Sequence, residues 1–246
     1  MTTQSNELNE VKPFHPGAAR FGNFINYYNF NSVSKRLNPI PSEFISNLTL
    51  NSNSVLCLDI GCNSGELTSG LYTYLVSNAK GNAEIFILGI DLDDVLITRC
   101  NESNPHPNNI TFQQIDIMEE TAMTQLKSFL DAHKRSEFDL VTCFSTTMWI
   151  HLNHGDMGLD RFLKKISTLS RFFILEPQEW KSYKSAVRRM TRLETEVFEL
   201  DKLKIRDISS HVSEFLRNKC GMDSSECWGV TSWGRNLYMF HKRCYK

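Results

Sequence analysis

The residues best suited to chemistry are a glycine-containing turn and several acids that follow apolar runs. The stretch VLCLDIGCNSG at 55–65 is an apolar run that ends at Asp59 and continues through Gly61, Asn63 and Gly65. Glycines let a backbone approach a ligand closely, and a helix that begins beside such a turn favours a nucleotide-like ligand. The spacing D-x-G-x-x-x-G differs from the dinucleotide-binding pattern, and no phosphate-loop Gly-Lys-Ser/Thr follows. The turn therefore predicts a nucleotide-like cofactor and disfavours NAD and ATP.

Two further acids follow the next apolar runs. Asp91 lies 26 residues after Gly65, where a βαβ unit places the carboxylate that accepts hydrogen bonds from ribose hydroxyls. Asp116 ends the following run, where it can accept from an adenine amino group. Either acid could instead cap the helix that follows it. An acidic rim favours an adenosine ligand that carries positive charge, and S-adenosylmethionine has both a sulfonium and an ammonium group.

A third polar group lies in the stretch STTMWIHLNHGD at 145–156. His151 and His154 are three residues apart, with Asn153 between them and Trp149 just before. As a metal site, the pair lacks a third ligand in the pattern. The stretch could pack and cap a following helix, or it could be a loop that contacts an anion or a base. We favour the substrate-contacting loop.

A basic stripe follows in EPQEWKSYKSAVRRMTR at 176–192. A helix would place its cations on one face beside two aromatic residues. The residues concerned are Lys181, Lys184, Arg188 and Arg192, with Trp180 and Tyr183. The formal net charge of −1 excludes a generally basic nucleic-acid binder, so contact with RNA would need a local patch of this kind. The alternative is a solvated helix face.

The elements that must position these residues alternate in type along the chain. Strand-like apolar runs occur at 55–60, 84–90, 110–115, 138–144 and 172–176, separated by helix-length segments. This alternation predicts an α/β fold, with a mostly parallel sheet and helices on both of its faces. The segments 228–233 and 237–241 are predicted to close the sheet as antiparallel strands, which makes seven. Ligands bind at the carboxyl ends of such strands.

The chain is predicted to form a single domain at 20–246 behind a mobile arm at 1–19. Residues 20–41 are rich in aromatic side chains, which predicts a strap. The strap could cover an edge of the domain, or it could be a lid from which Tyr27, Tyr28 and Arg36 reach the ligand.

The cysteines and the N-terminus predict the compartment. The seven cysteines form no C-x-x-C pair, which is typical of buried thiols in a reducing environment. The sequence shows neither a signal-peptide pattern nor an apolar run long enough to span a bilayer. We therefore expect a monomer in the cytoplasm or nucleus with no membrane partner.

Four motifs occur in order along the chain: FGNF, LDIGCNSGELT, MWIHLNHGD and EPQEWKSY. Together they resemble the bicoid-interacting-3-like RNA 5′-phosphate methyltransferases, the BCDIN-domain family, from about Phe21 to the C-terminus. The chain is most similar to the shorter branch, which acts on the 5′-monophosphate of microRNA precursors and of histidine transfer RNA. Met148 stands where the triphosphate-specific branch usually has lysine, and this difference puts triphosphate activity in doubt.

The resemblance implies a Rossmann-like class I methyltransferase fold and S-adenosylmethionine as the cofactor. It implies cofactor binding by Arg36, Asn63, Asp91, Asp116 and Ile117, in addition to Asp59, Gly61 and Gly65 of the turn. Asn23 is expected near the same pocket. The expected partner is a small RNA with a 5′-monophosphate end. Two rivals stay open: a methyltransferase with a non-RNA acceptor, and a non-catalytic RNA-binding protein on the same fold.

Methyl transfer to a phosphate requires alignment rather than a general base, because the oxygen is already anionic at neutral pH. We assign His151, Asn153 and His154 to orienting that oxygen. RNA contacts are assigned to Tyr27, Trp149, Trp180, Lys181, Tyr183, Lys184 and Arg188.

Overall fold

The computed structural model describes residues 20–22, 32–50, 53–192, 194–231 and 233–242, except for the side chains of 224–226. The predicted arm at 1–19 lies outside these residues, as do Asn23, Tyr27 and Tyr28.

Among the described residues, seven strands form one sheet. They are β1 Ser54–Ile60, β2 Glu84–Asp91, β3 Ile110–Gln114, β4 Phe138–Phe144, β5 Ser170–Glu176, β6 Met222–Val230 and β7 Asn236–Lys242. Their order is β3-β2-β1-β4-β5-β7-β6. The first five strands pair in parallel, whereas β7 runs antiparallel to both β5 and β6. The predicted mostly parallel sheet is confirmed, and its strand order reverses between β1 and β4, where such sheets bind ligands.

Helices cover both faces of this sheet. They are α1 Val33–Leu37, α2 Ser42–Thr49, α3 Glu66–Asn78, α4 Asp94–Ser103, α5 Ala122–Ala132, α6 Thr147–Leu169, α7 Trp180–Arg192 and α8 Ile208–Cys220, with a 3₁₀ turn at Leu200–Lys202. Alternate β1 residues point to opposite faces, because side chains alternate along a strand. Val55 and Cys57 pack with α1 to α4, whereas Leu56 and Leu58 pack with α5 to α8.

The segment 145–156 is largely helical, so the predicted loop is wrong. Helix α6 begins at Thr147, because Gln178 caps its first turn: the Oε1 atom accepts from Thr147 Oγ1 at 3.2 Å and from the amide of Met148 at 3.0 Å. Gly155 interrupts the helix with φ 68° and ψ −174°, a conformation essentially restricted to glycine. The kink lets residues on either side of Gly155 face different surroundings.

The C-terminal strands differ from the prediction in their bounds. Strand β6 begins at Met222 rather than near 228, because Gly221 ends α8 in a left-handed conformation with φ 67°. Strand β7 covers the predicted 237–241. Within the described ranges, no helix has both the length and the apolar composition that a bilayer crossing requires.

Candidate functional site

A pocket of about 820 Å³, which includes its solvent-open mouth, lies at the carboxyl ends of β1 to β4. The structure brings together many of the predicted site residues around it. Those that line the pocket are Arg36, Gly61, Asn63, Asp91, Asp116, Ile117, Trp149, Asn153 and His154. The pocket therefore joins one set of residues predicted for a cofactor to another predicted for a substrate.

The glycine turn is shaped by both backbone conformation and space. Gly61 has φ +75°, and a Cβ there would lie 2.2 Å from Thr146 Oγ1. Gly65 has φ +79° and precedes α3, and its Cβ would lie 2.9 Å from Phe112 Cζ. Any larger residue at either position would clash as well as strain the backbone. Gly65 does not line the pocket, so it shapes the turn rather than meeting a ligand.

Asp59 lies behind the turn and does not line the pocket. Its buried carboxylate accepts hydrogen bonds from Thr68 Oγ1 at 2.6 Å and from Thr142 Oγ1 at 2.7 Å. Burial raises the pKa of this carboxyl. The structure therefore corrects the predicted role: Asp59 ties β1 to α3 and β4, and any effect on a ligand is indirect.

Asp91 and Asp116 both face the pocket. Asp91 accepts from the amide of Asn63 at 3.0 Å and from the amide of Asp93 at 3.1 Å. Burial raises the pKa of Asp91 to about 6. Asp93, rather than Asp91, caps α4, and Asp116 accepts from the amide of Met118 at 2.8 Å in the loop after β3. The helix-capping alternative is therefore wrong for Asp91, and Asp116 orders a loop at the pocket wall.

Lys165 is a residue that the sequence analysis missed. Its Nζ atom donates to the carbonyl oxygens of Ile117 at 2.6 Å and Glu119 at 3.2 Å. The second half of α6 thus fixes the loop that carries Asp116. A lysine in the middle of a helix, here beside Lys164, gives no sequence signal for this contact.

A buried cluster of charges lies at the other end of the pocket, beside Ser145. Glu176 is 0% exposed and Arg36 is 1% exposed, and Arg36 Nε lies 3.4 Å from Glu176 Oε2. Glu176 Oε1 also accepts from Arg235 Nη1 at 3.1 Å, from Trp233 Nε1 at 3.2 Å and from Ser145 Oγ at 2.9 Å. Two guanidinium groups against one carboxylate leave this end with one excess positive charge. The sequence analysis named Arg36 but not its partners, because Trp233 and Arg235 come from a turn that is distant in the sequence.

The described part of the strap, residues 20–22, lies along the pocket. Arg20 Nε donates to Asn153 Oδ1 at 3.2 Å, and Asn153 Nδ2 donates back to the carbonyl oxygen of Arg20 at the same distance. The Arg20 guanidinium also pairs with the exposed Glu196 at 3.0 Å. Phe21 and Gly22 line the pocket. These contacts agree with the lid alternative for residues 20–22.

Trp149 and His154 stand on the same side of the pocket. A Cβ on Gly22 would lie 2.0 Å from Trp149 Nε1, so glycine allows the chain to pass directly against the indole ring. His154 is exposed. Met148 packs in the hydrophobic core and does not line the pocket. The methionine at this position, where the triphosphate-specific branch usually has lysine, therefore does not form part of the pocket surface.

His151 is buried, and the structure corrects its predicted contact with substrate. Its Nδ1 atom lies 3.0 Å from Tyr183 Oη, and its Nε2 atom lies 2.8 Å from Asp156 Oδ1. Asp156 also accepts from the amides of Lys204 and Ile205 at 3.0 and 3.2 Å. Burial lowers the pKa of His151, so the neutral ring donates from Nε2 and accepts at Nδ1. His151 holds the kink of α6 in place.

The residues predicted to contact RNA on α7 divide into two groups. Tyr183 is fully buried and stacks on Trp180 at 4.9 Å between ring centroids, so direct contact of Tyr183 with RNA is excluded in this conformation. Trp180 is half-buried, with the Arg206 guanidinium 5.6 Å from its ring. The exposed cations of the helix are Lys181, Lys184, Arg188 and Arg192. They lie outside the pocket.

Comparisons with known proteins identify the family. A model of Bicoid-interacting protein 3 (Bin3) matches residues 138–242, and a methyltransferase-domain model matches residues 58–171. The pre-miRNA 5′-monophosphate methyltransferase of Danio rerio is 41% identical over 254 residues, which cover 99% of this chain and 100% of that protein. The chain belongs to the Bin3 methyltransferase family. The RNA 5′-monophosphate methyltransferase of Homo sapiens is 39% identical over 95% of this chain and 84% of its own length. The predicted family resemblance is confirmed.

Solved structures confirm the fold class of this Bin3 family member. The N-methyltransferase NodS from Bradyrhizobium japonicum WM9 superposes with a TM-score of 0.51 and 14% identity, covering 87% of this chain and 99% of NodS. The kinase-methyltransferase WbdD superposes with a TM-score of 0.54 and 17% identity, covering 94% of this chain and 44% of WbdD. These superpositions support the class I methyltransferase fold. At such low sequence identity they carry no information about the acceptor.

His151→Gln is expected to lower the free energy of unfolding by about 1–3 kcal/mol, because it breaks a buried hydrogen-bond network. The pKa of His151 is lowered on folding, so in mild acid this side chain binds a proton more readily in the unfolded chain than in the folded chain. The contribution of His151 therefore lowers the free energy of unfolding as the pH falls below about 6.5, the ordinary pKa of histidine. The variant should lose that part of the acid sensitivity. Urea unfolding at pH 7.5 and 5.5 measures both effects.

The matched control is His154→Gln, three residues away and exposed. It should change neither the stability nor its pH dependence. Equal effects of the two substitutions would contradict the role assigned to His151.

Proposed function

We propose that this chain transfers a methyl group from S-adenosylmethionine to the 5′-monophosphate of small RNAs. The observation that carries the proposal is the 41% identity, over 99% of the chain, to a protein named for that activity on pre-miRNA. MicroRNA precursors and histidine transfer RNA are the expected substrates. The chemistry of the pocket supplies independent support for both the donor and the acceptor.

The charges in the pocket match the donor from end to end. The carboxylate of Asp91 is placed to accept from ribose hydroxyls, and Asp116 lies one strand further along the same wall to meet the adenine amino group. Apolar side chains of Ile117 and Ile150 line the space between the acids and α6. At the opposite end, Arg36 offers a guanidinium to the carboxylate of the methionine part. In this orientation the ribose hydroxyls, the adenine amino group and the carboxylate of the donor each meet a complementary group.

The acceptor end lies beside α6. Asn153, His154 and Trp149 line this part of the pocket. The Asn153 amide already donates to the carbonyl oxygens of Arg20 and Trp149, and Gly22 packs against the Trp149 ring, so residues 20–22 are proposed to shift when a phosphate and a base or ribose take their place. The Arg20 guanidinium adds a cation beside Asn153, where it now pairs with an exposed glutamate. A 5′-phosphate could replace that glutamate as the partner of Arg20. These groups are proposed to hold the phosphate, and His151 is no longer among them.

The reaction needs alignment and exclusion of water more than proton transfer. Bound S-adenosylmethionine supplies an electrophilic methyl group on sulfur. A terminal phosphate has its second pKa near 6, so its oxygen attacks without a base and no proton moves. Asn153 and His154 are proposed to orient one phosphate oxygen toward the methyl group, and residues 20–22 to exclude water from the mouth. Correct alignment contributes several kcal/mol to such a displacement.

The body of the RNA is proposed to lie along α7. The outer face of this helix exposes the cations Lys181, Lys184 and Arg188. Lys181 is next to the turn that carries Arg235, because a Cβ on Gly234 would lie 3.4 Å from Lys181 Nζ. Arg206 over the Trp180 ring adds a further cation. The stripe therefore begins beside the positively charged end of the site.

The acceptor is tested with labelled S-adenosylmethionine and matched RNAs that end in 5′-hydroxyl, 5′-monophosphate or 5′-triphosphate. Label is expected in the monophosphate RNA, because only that end carries the proposed nucleophile without the larger charge of a triphosphate. Equal label in the hydroxyl RNA would contradict methylation of phosphate. Label in none of the RNAs, despite binding of RNA and of S-adenosylhomocysteine, would favour a non-catalytic protein.

Donor binding is expected to weaken in mild acid. The pKa of Asp91 is raised to about 6, so acidification from pH 7.5 to 5.5 protonates the carboxylate that accepts from the ribose. The dissociation constant of S-adenosylhomocysteine should rise roughly three- to fourfold, if only the ionised form binds. Isothermal titration calorimetry measures this change. Asp91→Asn should bind weakly at both pH values, and a wild-type pH dependence in that variant would contradict the assignment.

The basic stripe is tested by Lys184→Glu combined with Arg188→Glu. If these cations contact RNA phosphates, the KM for RNA should rise at least about tenfold and the salt dependence of binding should become shallower by about two contacts. Affinity for S-adenosylhomocysteine should not change. The control is Lys127→Glu, an exposed lysine on α5. An unchanged KM in the double variant would indicate a solvated face.

A further inference from the structure

Arg235 lies in a turn that holds its backbone firmly. The Thr231 amide donates to the Arg235 carbonyl oxygen at 2.7 Å, and the Arg235 amide donates to Thr231 Oγ1 at 3.0 Å. The Gly234 amide donates to the Thr231 carbonyl oxygen at 2.8 Å, and Gly234 has φ +78°. The turn therefore directs the Arg235 side chain at one place, the buried carboxylate that ends β5.

The charges at that place explain why a second arginine matters. Glu176 and Arg36 are both buried, and together they carry no net charge. The Arg235 guanidinium, 3.1 Å from Glu176 Oε1, brings the total for these three side chains to one positive charge, and the buried Asp59 carboxyl also interacts electrostatically with Arg36. Arg235 also donates to Ser145 Oγ, which Arg36 Nη2 contacts at 3.1 Å. Through Ser145 and Arg36, the excess charge reaches the pocket wall.

We propose that Arg235 is a positioning residue for the methyl donor. It holds the Glu176 carboxylate, so that Arg36 can attract the carboxylate of the donor's methionine part instead of being neutralised by Glu176. A buried glutamate with a single arginine partner would compete with any incoming anion for that arginine. With two partners, Glu176 stays paired when Arg36 turns part of its hydrogen-bonding capacity toward the pocket. The inference rests on the proposed function, because it takes S-adenosylmethionine as the donor.

The test compares two ligands that differ only at the end in question. S-adenosylhomocysteine carries the amino-acid carboxylate, whereas 5′-methylthioadenosine has the same adenosine and lacks the amino-acid group. Arg235→Gln should weaken binding of S-adenosylhomocysteine about tenfold and change binding of methylthioadenosine less than about twofold. Arg235→Lys keeps the charge and should restore most of the affinity. Isothermal titration calorimetry on the full chain measures the dissociation constants of both ligands for the wild type and the two variants.

A double variant separates charge from packing. Glu176→Gln combined with Arg235→Gln removes one charge of each sign, so Arg36 again contributes one excess positive charge. The double variant should therefore bind S-adenosylhomocysteine more tightly than Arg235→Gln alone. If Arg235→Gln fails to fold, Arg235→Lys takes its place, because it leaves no underpaired buried carboxylate; a loss of S-adenosylhomocysteine affinity of about tenfold in this variant would contradict an effect of charge. The matched control is Arg171→Gln, an exposed arginine near the opposite end of β5, which should behave as wild type.

The outcomes distinguish this inference from the proposed function. Equal weakening of both ligands by Arg235→Gln, without recovery in the double variant, would show a merely structural role and overturn the inference. Unchanged binding of S-adenosylhomocysteine in Arg235→Gln would overturn it as well, while the donor assignment stands. If the wild-type chain bound neither ligand, the donor itself would be wrong and both proposals would fall.

Discussion

The buried carboxylate of Glu176 is the constraint on which the site depends. An unpaired charge at 0% exposure would be strongly destabilising, so cations and donors must gather around it from other parts of the chain. The two residues that follow add to this: Pro177 has no amide to extend the strand, and Gln178 caps α6. The three residues 176–178, at the end of β5, thereby fix the positions of Ser145, the start of α6, Arg36 and the turn between β6 and β7.

The long helix α6, whose start is fixed by this stretch, contributes to two parts of the pocket. Before Gly155, the helix presents Asn153 and His154 to the pocket and turns His151 into the interior. After Gly155, Lys165 holds the loop after β3 through two carbonyl oxygens. A continuous helix could not serve both positions, because the kink is what allows Asp156 to reach His151 and the backbone of 204–205 at once. The proposed acceptor side and the proposed adenosine side of the pocket thus share one element.

Sequence reasoning succeeded where a local pattern carries the information. The alternation of apolar runs predicts the parallel sheet, and the rule that ligands bind at strand ends places Asp91 and Asp116 in the pocket. It failed where a distant residue decides the outcome. Gln178 makes 147–154 helical, and the packing of that helix, rather than residue type, decides that His154 faces the pocket while His151 is buried against Tyr183 and Asp156. Arg235 reaches the site only because β7 pairs with β5, a contact without any local signature.

The two family matches overlap on α6 and extend from it in opposite directions along the chain. The general methyltransferase match, residues 58–171, contains the glycine turn and the acids Asp91 and Asp116 that face the adenosine side. The Bin3 match, residues 138–242, contains α6, the basic face of α7 and the turn with Arg235. Only β4, α6 and the first two residues of β5 belong to both matches. Under the proposed function, the acids that face the adenosine therefore lie in the part that the general match covers, whereas the α7 cations and Arg235 lie in the part that the Bin3 match alone covers. Asn153 and His154 lie in the shared α6, so selectivity for an RNA end is proposed to combine this shared helix with the cations of α7.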